Sequence, residues 1–286
     1  MDIETITKTK KQYESYMKAG YALIILSFLL FIPVGLANGM VGAFVLQGTF
    51  LLGGIVVAVV SSRFKRLSIE FKNAYLPKMI AEIYPGSSYY PEQGFIQEDV
   101  FSTMLLQRAD RYYSEDFISG NYQQIPFESA DVKIQRVSHT GKSTTVTTVF
   151  LGRVYRFEFL RNFPTSLVLV QPGIGQKWGF DGLNHIETES IGFNSDFQVF
   201  ARDEVGAFEI LLPQFMEKLQ DLDRKYGGKI KLSFLRNTLN VAINSSRDTF
   251  DLRMFKPVDD ALFVRIRSEL EDVRNIIDIF AKRQLS

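Results

Sequence analysis

Residues 19–62 read AGYALIILSFLLFIPVGLANGMVGAFVLQGTFLLGGIVVAVVSS, a run of 44 positions between Lys18 and Arg63 without one charged side chain. A helix rises about 1.5 Å per residue and a bilayer's hydrocarbon core is about 30 Å thick, so the run has about twice the length of one crossing. Two crossings fit. Ala37-Asn38-Gly39 is the natural reversal, since Asn and Gly tolerate the backbone conformations of a tight turn. The spacing predicts membrane helices over residues 20–37 and 40–61. Pro33 predicts a kink near the end of the first. Gly48, Gly53 and Gly54 offer small surfaces where the second can approach it. A soluble core hairpin rarely runs so far without charge, and a cleaved leader fails because Met1–Lys18 is long and mixed and a second span follows.

Working outward, basic residues flank the run on both sides: Lys8, Lys10, Lys11 and Lys18 before it, Arg63, Lys65, Arg66, Lys72 and Lys78 after it. The connecting turn has none. Positive charge stays on the cytoplasmic side, so both termini are expected there, in a multi-pass protein of the cell membrane. The whole chain of 286 residues carries 33 basic and 32 acidic side chains and no Cys. That balance excludes a disordered chain and a disulfide scaffold.

Residues 63–78 hold five bases and one acid, while 79–286 hold 24 bases and 28 acids. Basic excess is therefore confined to the membrane-proximal segment, where Arg63, Lys65, Arg66 and Lys72 can meet anionic headgroups. Phe64, Leu67, Phe71, Tyr75 and Met79 recur at helical spacing over 62–84, with Pro77 expected to bend the helix or restart it. Two readings stay open: a helix lying on lipid, or a connector whose apolar face packs on the chain.

Residues 85–286 form the cytoplasmic domain. A short helix is expected near 97–106. Alternation then marks antiparallel strands around Val132 and Ile134 and around Tyr155, Phe157 and Phe159, joined by a hairpin at 138–143. Further strands are expected at 166–171 and 196–202, separated by a Gly-rich loop containing Trp178. A helix from Pro213 ends at Gly227-Gly228. Strands at 230–234 and 239–243 pair across Arg236-Asn237, and one last helix runs over 258–280. The fold class is α+β: an N-terminal two-helix transmembrane hairpin, then a mostly antiparallel sheet with helices on one face.

Reactive constellations are scarce. The two histidines, His139 and His185, are expected in exposed loops, and no metal-ligand set is visible. Asp221-Leu222-Asp223 reads as a solvated helix face. Gly173-Ile174-Gly175 lacks the spacing of a dinucleotide fingerprint, its next glycine being Gly179. No nucleophile elbow occurs. No catalytic residue and no cofactor is assigned. The polar cluster Arg111, Glu115 and Asp116, set among Tyr112, Tyr113 and Phe117, is the one candidate for acid–base chemistry; its plainer reading is an exposed turn or a salt-bridged strand entry. Nucleic acid is disfavoured by the net acidity beyond residue 78.

Several blocks carry a family resemblance: Ser88-Tyr89-Tyr90-Pro91, the run from Arg111 to Gly120, Phe127 to Val132, Val149-Phe150-Leu151-Gly152, Arg161-Asn162-Phe163, Ile210-Leu211-Leu212-Pro213 and Leu239 to Ile243. The chain resembles a family of bacterial membrane proteins known only as a domain of unknown function, number thirty-one thirty-seven. The resemblance implies a membrane hairpin and, as a protein partner, a LemA-type membrane protein. It implies no activity. The leading reading is a membrane-anchored cytoplasmic interaction or scaffold module that touches membrane lipid and a protein. The alternative is a membrane-associated, hydrolase-like enzyme using carboxylates near Glu115 and Asp116.

Overall fold

The computed structural model describes residues 2–284 except Lys142, 175–179, Arg247 and Thr249, and leaves undescribed the side chains at 31, 33–37 and 281–284. The loop containing Gly175, Trp178 and Gly179 lies outside the described residues, whereas the backbone at Pro33, where a kink is expected, stays within helix. The chain divides into two compact units, Met1–Leu76 with Phe250–Arg265 and Pro77–Thr249 with Ile266–Ser286.

In the first unit α1 spans Ile3–Ala37 and α2 begins at Gly39, running on to Ile83. Asn38 alone interrupts them: its side-chain oxygen accepts from the Met40 and Val41 amides at 3.2 and 3.3 Å, capping α2. The first helix starts well before residue 20 because the polar N-terminal stretch continues it. Ile6 and Met17 are buried there, and Lys10 is buried in an ion pair with Glu14 one turn on. Of the glycines singled out, Gly53 serves close packing: a Cβ there would lie 2.7 Å from Ile24 and 2.9 Å from the Gly20 carbonyl. Gly20 shares this contact, whereas Gly48 and Gly54 face open space. Helix α2 continues through Pro77 without a break in its assignment.

Segment 250–265 is fastened to these helices by polar hooks. Ser68 donates to Asp251 at 2.9 Å and accepts from the Leu252 amide at 2.9 Å. Lys72, 1% exposed, pairs with Asp251 at 2.8 Å. Phe263 meets Phe71 and Tyr75 at ring separations of 6.0 and 5.6 Å. Within the apolar stripe of the basic segment, Leu67 and Phe71 are buried and Tyr75 is half-buried.

Among the described residues the second unit is built on nine antiparallel strands: β1 Ser88–Tyr90, β2 Arg111–Tyr122, β3 Ile125–Thr140, β4 Ser143–Glu158, β5 Leu167–Val170, β6 Asn184–Ile186, β7 Gln198–Ala201, β8 Ile230–Leu235 and β9 Thr238–Ile243. Their order is β1-β2-β3-β4-β9-β8-β5-β7-β6. Alternation sorts the side chains to two faces. Ala130, Val132, Ile134, Phe150, Val154, Val168, Val170 and Ala242 pack with Phe95, Val100 and Leu105 on one. On the other, Phe234 meets Phe215 of α6 (Pro213–Lys225) and Phe280 of α8 (Asp272–Gln284). Helices therefore lie on both faces, because α3 (Gln97–Ser102), shorter than the expected 97–106, contributes Val100 to the first. Short helices α4 (Ile191–Asp196) and α5 (Glu204–Ile210) flank β7. Gly227 and Gly228, with φ of 65° and 72°, end α6 as expected.

The last helix is not continuous. It divides into α7 (Asp260–Leu270) and α8, with Glu271 between. Tyr84 supplies the reason: its hydroxyl donates to the Leu270 carbonyl at 2.7 Å and accepts from the Arg274 amide at 3.1 Å. Those two groups would otherwise bond each other in the helical ladder, so an inserted hydroxyl opens the turn. Tyr84→Phe leaves both groups buried without that partner and is expected to cost about 1–3 kcal/mol in chemical unfolding. An unchanged midpoint would show that the two helices close up without cost.

Candidate functional site

The polar cluster read from the sequence separates in space. Arg111 lies exposed at the far end of β2, opposite Gln135. Glu115 is half-buried opposite Asp131. Asp116 is wholly buried, so the exposed-turn reading fails for it. The pairing of β2 with β3 slips between Glu115 and Ile118, where Asp116 takes φ of 60°. This bulge adds one residue to β2. Phe117 then packs into the apolar face. The Asp116 carboxylate instead accepts from the Tyr89 hydroxyl at 2.5 Å. Asp is among the residues that tolerate this left-handed backbone.

Arg153 on β4 gathers the rest. It is 2% exposed. Its guanidinium donates to the Asp116 carbonyl at 2.6 Å and to the Ser129 hydroxyl at 3.3 Å. Its Nη1 lies 3.2 Å from Asp131 and 3.7 Å from Glu269 on α7. Carboxylate oxygens of Asp116, Asp131 and Asp248 lie within 4.8 Å of one another. These three are hard oxygen donors suited to a cation such as calcium or magnesium. Arg153 already brings one positive charge to the same group.

Burial and charge set the titration. Burial, and then Glu269 and the other acids, push Asp131 well above the usual carboxylate range against the pull of Arg153. Burial opposes the charge on Arg153, but Asp131 and Glu269 outweigh it and hold its proton more firmly. Burial and the Asp116 charge raise the Tyr89 hydroxyl far above its ordinary value.

Asp131, Arg153, Asp248 and Glu269 were not found in the sequence because they come from separate elements. The one signal was at Arg153, which interrupts the apolar alternation of Tyr155, Phe157 and Phe159; Asp131 falls at a polar position of its own strand's alternation and gave none. The other candidates stand apart. Asp223 is buried and accepts from the Ile230 amide at 3.2 Å, whereas Asp221 is exposed and pairs with Arg224, so the pair does not form one solvated face. His139 and His185 are exposed but lie in strands β3 and β6 rather than in loops. Arg63, Lys65 and Arg66 are exposed; Lys72 is not, its ammonium being held by Asp251.

Residues 148–282 match the model of a family described as "Protein of unknown function (DUF3137)". This is the family that the sequence blocks resemble. The match holds the blocks from Val149 onward and leaves those between Ser88 and Val132 outside it. No curated protein matches the chain. Among solved structures, the crystal structure of the mycobacterial trehalose monomycolate transport factor A is similar at a TM-score of 0.41 and 9% identity, over 74% of this chain and 94% of that one.

The folded-state pKa of Asp131 lies above its unfolded value of about 4. Its protonation therefore stabilises the folded chain fully below that value, and the contribution is lost as pH rises through the folded one. In nonionic detergent, the melting temperature of Asp131→Asn minus that of wild type should rise from pH 4 to pH 7. A flat difference would refute this. Arg153→Met leaves several buried acids without their cation and should cost about 3–5 kcal/mol.

Proposed function

We propose that this chain is a membrane-anchored interaction module whose α1 and α2 cross the bilayer as a hairpin. One observation carries the reading. Helix α2 contains an 18-residue window of mean hydropathy 2.3, only 11% buried within the fold. Large apolar side chains on both helices face outward, among them Ile25, Phe28, Leu29, Phe44, Leu51 and Ile55, all at least 51% exposed. A patch of this size is strongly unfavourable in water and natural in lipid. Tyr13, Tyr16 and Arg63 border an apolar groove of about 400 Å³ at one end of this surface, the composition of a headgroup boundary.

With both ends of the hairpin basic, the termini and the α+β unit lie in the cytoplasm, in a bacterial setting by resemblance. The unit presents its surface to a protein, and a LemA-type membrane protein is the first partner to test. Burial of Asp116 supports a binding role over a hydrolytic one, because a carboxylate sealed behind Tyr89 cannot reach a substrate.

Single Cys residues at Ser15 and Ser286, in a chain without Cys, should resist an impermeant reagent in intact cells and react after lysis. Labelling of either before lysis overturns the topology. A detergent pull-down with the full chain should recover the LemA-type protein. Its absence would remove that partner and leave the anchor standing.

Lipid contact through charge falls to Arg63, Lys65 and Arg66. Changing these three to Gln should weaken flotation of the lipid-free, detergent-diluted chain onto anionic vesicles relative to neutral ones, by about 1 kcal/mol for each charge lost. Lys72→Gln should leave that preference intact and lower stability instead.

A further inference from the structure

A cavity of the α+β unit has no part in the anchor or the Arg153 cluster. Its volume is about 380 Å³, and Leu106, Gln107, Ile134, Arg136, Phe150 and Lys231 are among its lining residues. It opens where β9 ends and the hairpin β3–β4 runs on: β4 pairs with β9 only from Arg153 onward, while β3 and β4 stay paired out to Thr140 and Ser143.

The described lining holds two cations and no carboxylate. Lys231 is the second residue of β8, opposite Ala242, with its ammonium 3.4 Å from the Leu105 carbonyl. A lysine directed to the apolar face of a sheet costs desolvation energy, and burial lowers its pKa to about 8. Arg136, exposed on β3, contributes a planar fork suited to two oxygens of one anion. Ile134, Phe150 and Leu106 supply an apolar wall beside the charges.

We propose that this cavity binds a phosphate monoester, its dianion held between Lys231 and Arg136 and its organic part against the wall formed by Ile134, Phe150 and Leu106. The two negative charges of the dianion match the two cations of the lining, which the single charge of a carboxylate would not. The same chemistry is offered by a soluble phosphate ester and by the headgroup of a phosphatidate. A phosphate beside the ammonium favours its charged form, so Lys231 takes up a proton as the ligand enters when the pH is near 8.

The test is calorimetric titration of the full chain in nonionic detergent with glycerol 3-phosphate and with short-chain phosphatidate. Saturable binding of either at pH 7 supports the site, and the tighter ligand identifies the source. From pH 7 to pH 9 the ester stays dianionic, its second pKa being about 6, while Lys231 loses most of its proton, so affinity should fall about tenfold. Lys231→Arg should bind at both pH values without that fall. Lys231→Met and Arg136→Gln should each weaken binding about tenfold or more; Arg136 is exposed, so its variant keeps the fold in hand. Failure of the folded wild type to bind either ligand overturns the proposal. So does binding that survives within twofold in both charge-removing variants.

Discussion

The guanidinium of Arg153 is the constraint on which the α+β unit depends. It is buried, and it binds a carbonyl of β2, a hydroxyl and a carboxylate of β3 and a carboxylate near the end of α7. A buried cation is tolerated only when its charge and its donors are met. The partners come from β2, β3 and α7, so the unit satisfies Arg153 only when those three elements are brought together. The bulge that turns Asp116 toward it is part of the same requirement: a regular β2 would aim that carboxylate into the apolar face carrying Phe95 and Phe117.

This arrangement buries Asp116 and Asp131. Acid–base chemistry needs a carboxylate within hydrogen-bond distance of a reacting group. Asp116 spends that reach on Tyr89, and Asp131 on Arg153. Exposed cations stand elsewhere, among them Arg63, Lys65 and Arg66 beside the apolar helices and Arg136 at a cavity that the half-buried Lys231 also lines.

The first unit obeys a different rule. Its helices α1 and α2 bury little of their apolar surface on each other, and their closest approach rests on the absence of side chains at Gly20 and Gly53. Stability comes at the polar end, where Asp251 receives both Lys72 and Ser68, and Glu14 accepts from the Phe255 amide at 2.8 Å. Segment 250–265 is thereby tied to both helices, although some 170 residues of β-rich chain separate it from them.

Periodicity and punctuation determined much of this protein without any structure. The uncharged run named the apolar helices, Asn38 named their break, alternation named the strands around Val132 and Phe157, and Gly227-Gly228 named the end of α6, because each is a local preference of neighbouring residues. The split at Glu271 was invisible, since its cause is a hydroxyl from Tyr84 far away in the chain. Lys72 looked like one more lipid-facing base, because nothing nearby announces Asp251. The cluster around Arg153 was seen only at Asp116. Its other members sit on strands and a helix whose pairing alone brings them together. Charges that meet through strand register, a bulge and a distant helix end leave no periodic trace, and for those only the tertiary structure decides.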